Sequence, residues 1–65
     1  MPSENKLAFR PENAAQAADV GVTKIRTEIR EGRLRARKSG KATLIEADDL
    51  KAWIKSLPPI QPALA

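Results

Sequence analysis

The chain has 65 residues, a length that suits one small domain with a thin apolar core. It contains neither cysteine nor histidine, which excludes disulfides, thiolate metal sites and the residues that most often act as base or nucleophile near neutral pH. No stretch approaches the roughly 20 apolar residues of a membrane span, and the N-terminus lacks the order of a signal peptide. We therefore expect a soluble cytoplasmic protein that has no enzymatic activity, metal or cofactor and no membrane contact.

The net charge of +4 is concentrated in the middle of the chain. Residues 24–41 contain eight basic and two acidic side chains, a net charge of +6, whereas the remaining residues contain four basic and six acidic ones. A basic segment between mildly acidic ends is typical of proteins that bind a polyanion. The alternative is that this segment is only a solvated basic surface.

A first helix is predicted from Pro11 to about Asp19. Proline suits the first helical position because its missing N–H would have no partner there, and Glu12 in the first turn complements the helix dipole. Residues 13–19 have high helix propensity and present only alanine on their apolar side. Gly21 then permits a sharp turn.

A second helix is predicted from about Thr23 to Glu31, with Gly32 as the residue that ends it. Its apolar stripe has the spacing i, i+3, i+7 and consists of Val22, Ile25 and Ile29. Two short helices joined by about three residues around a glycine have the outline of a helix-turn-helix.

A β-hairpin is predicted next. Residues 34–37 alternate apolar and basic side chains, residues 38–41 contain a glycine turn, and residues 42–45 form the returning strand. The side chains expected to face the core are Leu34, Ala36, Ala42 and Leu44. Those expected to face outward are Arg35, Arg37 and Thr43.

A third helix is predicted to begin near Glu46 or Ala47 and to end at Pro58. Asp48 and Asp49 occupy its first turn, where acidic residues favour a helix start, and this role is a better interpretation than a metal site. The apolar stripe of this helix is Leu50, Trp53, Ile54 and Leu57. This stripe indicates that Trp53 is a core anchor rather than an exposed platform for base stacking.

The predicted architecture is a mostly α, α+β winged helix-turn-helix. It has three helices and a two-stranded β-hairpin wing between the second and third helices. Residues 1–9 are expected to be a flexible lead, residues 10–57 the DNA-binding domain, and residues 58–65 a proline-rich disordered tail.

This architecture places most of the positive charge on the second helix and the wing. An α-helix fits the major groove of double-stranded DNA, where arginine pairs with guanine and threonine contacts bases. With about six to eight phosphate contacts, binding would be strongly salt-dependent. The candidate recognition-helix residues are Thr23, Lys24, Arg26, Thr27 and Arg30. The candidate wing residues are Arg35, Arg37, Lys38, Ser39, Gly40, Lys41 and Thr43.

Some of the charged residues have structural alternatives. The basic residues of the helix can be ordinary solvated surface, and those of the wing can protect an exposed strand edge. Arg33 is interpreted equally well as a cap at the C-terminus of the second helix. Glu28 and Glu31 are expected to form exposed pairs with neighbouring arginines, which contribute little stability.

Several segments resemble the excisionase-family DNA-binding domain, which is similar to the winged helix of mercury-resistance-type (MerR-like) regulators. The resemblance covers residues 10–58. It rests on the segments 12–18, 25–29, 30–34, 35–40, 43–45, 49–54 and 57–58. The sequence departs from the family pattern at four positions. Asp19 replaces a usual glycine, Arg26 a frequent tyrosine, Glu28 a commonly apolar residue and Glu46 a frequent proline.

The resemblance implies a winged helix whose second helix enters the major groove and whose wing contacts the flanking backbone or minor groove. It implies a bacterial or phage protein, associated with the nucleoid, that bends attachment-site DNA during recombination and assists an integrase or recombinase. Side-by-side self-association on DNA is expected because one small domain binds weakly.

Two alternatives remain open for the function. A small transcription regulator of a phage or mobile element would use the same residues. A protein-interaction adaptor would instead present the basic face to an acidic partner. Single-stranded RNA is a weaker candidate, because Phe9 and Trp53 are the only aromatic residues.

Overall fold

The computed structural model describes residues 7–60, which form three helices and one three-stranded antiparallel sheet. The elements are β1 (Ala8–Phe9), α1 (Pro11–Ala18), α2 (Val22–Arg30), β2 (Arg37–Ser39), β3 (Ala42–Glu46) and α3 (Ala47–Ser56). The strands lie in the order β1-β3-β2. Three helices with a hairpin between the second and third agree with the predicted winged helix-turn-helix.

The strand β1 differs from the prediction, which places residues 8 and 9 in a flexible lead. Phe9 pairs with Ile45 of β3 in an antiparallel register. The sheet therefore has one strand more than the predicted two-stranded wing, and the ordered region begins before residue 10. Two residues are too few to show the alternation by which a strand is recognised in a sequence. Residues 1–6 of the predicted lead lie outside the described residues.

The helix α1 ends on a left-handed residue, Asp19, with φ 59° and ψ 45°. The N–H of Asp19 donates to the carbonyl oxygen of Gln16 at 3.2 Å, and the N–H of Val20 donates to that of Ala15 at 2.9 Å. These two bonds are the Schellman motif. Gly21 lies in the three-residue connection to α2, as predicted, but it has φ −73° and ψ 149°, so the left-handed residue of this turn is Asp19 and not the glycine. An aspartate tolerates the left-handed conformation better than most residues with a side chain.

The helix α2 ends with the same motif, and here the left-handed residue is the predicted Gly32, with φ 82°. The N–H of Gly32 donates to the carbonyl oxygen of Ile29 at 3.1 Å, and the N–H of Arg33 donates to that of Glu28 at 2.9 Å. The two helices of the helix-turn-helix are therefore closed by the same hydrogen bonds, once on aspartate and once on glycine.

Introducing glycine at the α1 cap and replacing glycine at the α2 cap are expected to change the free energy of unfolding in opposite directions. Asp19→Gly removes a Cβ from a left-handed residue and is expected to raise the free energy of unfolding by about 0.5 kcal/mol. Gly32→Ala introduces a Cβ at such a residue and is expected to lower it by about 1 kcal/mol, although no atom lies within 4 Å of the new Cβ. Urea denaturation of both variants measures the difference. Effects of the same sign would contradict this account of the caps.

The apolar core receives side chains from all three helices and from β3. Trp53 is 3% exposed and anchors α3 in this core, as the sequence predicted. Ile25 of the predicted α2 stripe is fully buried, while Val22 and Ile29 pack partly buried against the core. The buried residues of the core cluster are Ala14, Ala15, Ile25, Leu34, Ile45, Leu50 and Trp53.

The hairpin is shorter than predicted. The strand β2 begins at Arg37 instead of Leu34, although Leu34 is buried as expected. Ser39 pairs with Ala42, and a two-residue turn that begins with Gly40 at φ 62° connects them. Glycine at the first of two turn residues is favoured in tight hairpins, because the left-handed φ there matches the twist of the strands.

The strand β3 has the opposite phase from the prediction. Ile45 is fully buried, whereas Leu44 is only half-buried and does not belong to the core cluster. Because side chains alternate along a strand, Thr43 lies on the same face as Ile45, and Leu44 lies on the opposite face with Ala42. Thr43 was therefore wrongly expected to face outward, and Leu44 and Ala42 to face the core. Pairing with β1 sets this phase. A shift of the register by one residue would move every side chain of the strand to the opposite face of the sheet.

The apolar stripe of α3 is only half buried. Leu50 and Trp53 belong to the core, whereas Ile54 is 44% exposed and Leu57 is exposed. The C-cap residue Leu57 separates α3 from Pro58, and residues 58–60 form neither helix nor strand. Residues 61–65 of the predicted tail lie outside the described residues. An open groove of about 940 Å³ passes the exposed side of α3. Its large aliphatic lining residues are Leu7, Leu44, Leu50 and Ile54.

None of the helices within residues 7–60 has the length and hydropathy needed to cross a bilayer.

Candidate nucleic-acid interface

The helix α2 presents a polar ridge on the side opposite its buried stripe. The ridge residues are spaced i, i+3, i+4 and i+7, a spacing that aligns side chains along one helix face. Three of them are exposed and Thr27 is half-buried. This set, here called the recognition ridge, consists of Thr23, Arg26, Thr27 and Arg30.

Lys24 lies beside the recognition ridge rather than on it. Its Nζ atom is 3.7 Å from Oε2 of Glu28, one helical turn further along α2. About half of the lysine side chain remains exposed, whereas the carboxylate is buried. Of the five helix residues predicted to contact DNA, Lys24 is therefore the one drawn toward the core side of α2.

Arg26 is held by an acidic residue of α1. Its Nη2 atom donates to Oε2 of Glu12 at 2.8 Å, and both side chains are more than half exposed. This ion pair joins the first turn of α1 to the middle of the recognition ridge. Arg30, by contrast, forms no ion pair with any residue in the range 7–60.

The hairpin carries its basic residues on an exposed strand and turn. All three residues of β2 are exposed, as are both turn residues, Gly40 and Lys41. Arg37 is held by Glu46 of β3, with 3.1 Å between Nε and Oε2. Thr43 is half-buried on the core face, so it is the candidate wing residue least available to a ligand.

The eight basic residues between positions 24 and 41 therefore divide into two groups. Carboxylates of Glu12, Glu28 and Glu46 hold one group, which consists of Lys24, Arg26, Arg33 and Arg37. The other group has no ion pair within the described part of the chain and consists of Arg30, Arg35, Lys38 and Lys41. These four cations are the most available for an anionic ligand.

Glu28 is the centre of a buried polar network that the sequence did not predict. The residue is 3% exposed. Its Oε1 atom accepts hydrogen bonds from Nε of Arg33 and Nε1 of Trp53, both at 3.0 Å, and its Oε2 atom accepts one from Nη2 of Arg33 at 2.9 Å. The network connects α2 to α3 and to the residue after the α2 cap. The expectation of a weak exposed pair at Glu28 was therefore wrong.

The interactions in this network shift the pKa values of both Glu28 and Arg33. The hydrogen bonds from Arg33, and then the one from Trp53, lower the pKa of Glu28 to about 2, while burial opposes the change. The bonds to Glu28 raise the pKa of Arg33 in turn. Two signals in the sequence point to this network. Glu28 lies three residues after Ile25 of the apolar stripe, a spacing that places both on one helix face, and a buried tryptophan N–H requires an acceptor.

The described residues bring together no group of three side chains suited to hold a metal ion. Asp48 and Asp49 lie in the first turn of α3, the position predicted for them.

The family comparison agrees with this geometry. A family model described as "Helix-turn-helix domain" matches residues 8–58, which include every helix and strand of the fold. No curated protein and no solved structure shows a significant match to the chain. Because the family match spans most of the sequence, the chain belongs to the helix-turn-helix domain family, and its domain is of the DNA-binding type.

Proposed function

We propose that the protein binds specific sites in double-stranded DNA, with α2 in the major groove and the hairpin against the flanking backbone or minor groove. The observation that carries this proposal is the distribution of the four cations between positions 24 and 41 that form no ion pair within residues 7–60. Arg30 lies on the recognition ridge, Arg35 on the connection to the hairpin, and Lys38 and Lys41 on the hairpin itself. Cations on a helix and on a wing suit one ligand with regularly spaced phosphates and a groove between them.

The side chains of the recognition ridge suit the reading of bases. Arginine forms two hydrogen bonds with the O6 and N7 atoms of guanine, and threonine contacts a thymine methyl group or accepts a hydrogen bond. Arg30 is our main candidate for such a contact, because it is exposed and unpaired within residues 7–60. Burial of Ile25 on the opposite side of α2 leaves this face directed away from the core.

We further propose that the protein is an excisionase that bends attachment-site DNA and assists an integrase. The resemblance of residues 10–58 to excisionase-family domains supports this role. A transcription regulator would use the same surface, so the two roles differ only in the effect of binding on the DNA and on recombination. A gel-shift bending assay and an integrase-dependent excision assay distinguish them. Bent DNA and stimulated excision support the excisionase, whereas straight DNA with unchanged excision contradicts it.

Arg30→Ala is expected to weaken binding to the specific DNA site by about tenfold or more, because one bidentate arginine–guanine contact is lost. Lys55→Ala is the matched control, since it removes the same charge from the end of α3, outside the proposed interface. It is expected to change the affinity by no more than about twofold. Fluorescence anisotropy with a labelled duplex measures both variants.

Equal effects of the two substitutions would contradict the assignment of α2 as the recognition helix. Circular dichroism of Arg30→Ala serves as the folding control. The side chain is exposed and forms no ion pair within the described region, so an unchanged melting curve is expected.

A further inference from the structure

The ion pair between Arg26 and Glu12 lies on the recognition ridge of the proposed DNA-binding face. Arg26 is the only member of the recognition ridge that a carboxylate holds within residues 7–60. The 2.8 Å bond uses Nη2 of the guanidinium, and no other acceptor within the described residues contacts Arg26. An arginine has five N–H donors, so most of its donors remain available in this arrangement.

The pair is also exposed enough for a ligand to replace Glu12 as the partner of Arg26. Both side chains are more than half exposed, and such ion pairs are weak because water and salt screen them. A DNA duplex that approaches α2 therefore competes directly with Glu12 for Arg26.

The outcome of this competition depends on what the DNA offers. When a DNA phosphate binds Arg26, one anion takes the place of another. The carboxylate of Glu12 is then left unpaired in the negative field of the duplex. A guanine edge instead uses the donors that Glu12 leaves available, so Arg26 keeps its carboxylate while it contacts the base. Glu12 thus weakens contacts with random DNA more than contacts with a matching site.

We propose that Glu12 is a specificity-determining residue, which acts by holding Arg26 and so reduces binding to non-matching DNA. This inference rests on the proposed function, in which α2 enters the major groove. It assigns a role in DNA discrimination to an acidic residue of α1, a helix outside the predicted interface.

The test compares Glu12→Gln with Glu31→Gln, which removes one negative charge from an exposed residue that forms no ion pair within residues 7–60. Affinities are measured for a random-sequence duplex and for a duplex that contains the specific site, as identified by DNase footprinting. Glu12→Gln is expected to tighten binding to random DNA about threefold more than Glu31→Gln does, and to lower the ratio of specific to random affinity. In an Arg26→Gln background, the additional effect of Glu12→Gln is expected to disappear.

Two results would overturn the inference while the proposed function stands. The first is an equal effect of the two glutamate substitutions, which would indicate net charge alone. The second is an effect of Glu12→Gln that persists without Arg26. A wild-type protein that binds no duplex would overturn the proposed function itself, and the inference with it.

Discussion

Trp53→Ala is expected to remove most of the free energy of unfolding of the domain, so that the variant is at best marginally stable at 25 °C. The side chain is 3% exposed and is the largest of the buried core residues. Truncation of a buried tryptophan costs about 3–5 kcal/mol, because packing is lost and a cavity remains. A domain of this size has a total stability of only about 5 kcal/mol. Thermal and urea unfolding followed by far-ultraviolet circular dichroism measure the loss.

Trp53→Phe separates packing from hydrogen bonding at this position. The ring of phenylalanine fills most of the site, but the N–H that donates to Glu28 at 3.0 Å is lost. We expect this variant to fold with a smaller loss of stability than the alanine variant shows. A native melting curve for Trp53→Ala would show that the core assignment is wrong.

Acid is expected to destabilise the protein through Glu28. The pKa of this residue is about 2 in the folded state and 4.5 in its ordinary state, so folding favours the ionised carboxylate. Its stabilising contribution is therefore complete above about pH 4.5 and is lost as the pH falls toward 2. Urea unfolding at a series of pH values between 7 and 2.5 measures this dependence.

Glu28→Gln is expected to be less stable than the wild type at pH 7 and to lose part of the acid dependence. The amide cannot form the charge-assisted pair with Arg33, although it keeps an oxygen for Trp53. Glu31→Gln provides the control, because Glu31 is exposed and forms no ion pair within residues 7–60. If Glu28→Gln had wild-type stability at both ends of the pH range, the proposed contribution of this network to the free energy of unfolding would be contradicted.

The helices were predictable from the sequence because their signals are local. Pro11 marks the start of α1, and Gly32 ends α2 with the expected left-handed conformation. The spacing of Leu50 and Trp53 indicated the buried side of α3. Each of these signals depends on neighbours within two helical turns, so no knowledge of the tertiary structure is needed to interpret it.

The features that the sequence did not reveal depend on distant residues. The phase of β3 follows from the pairing of Ile45 with Phe9, which lies 36 residues earlier in the chain. The burial of Glu28 follows from its bond to Trp53, 25 residues later. In the turn after α1, the left-handed conformation is adopted by Asp19, although Gly21 was the obvious candidate for it.

The candidate site shows the same division. The sequence identified the basic residues, and the structure shows which of them are already paired. Arg26 meets a carboxylate 14 residues earlier in the chain, and Arg37 meets one on the adjacent strand. Such pairs arise only when separate elements pack together, so charge counting overestimates the number of cations available to DNA.

DNase footprinting combined with an affinity titration at 50 and 200 mM salt tests the central claim most directly. The DNA is taken from the region around the gene. We predict a discrete protected site that persists at the higher salt concentration. Its affinity is expected to fall with increasing salt, because binding releases counterions from the DNA. Diffuse binding that disappears at 200 mM salt would contradict sequence-specific recognition. It would favour an adaptor that uses its basic surface on an acidic partner.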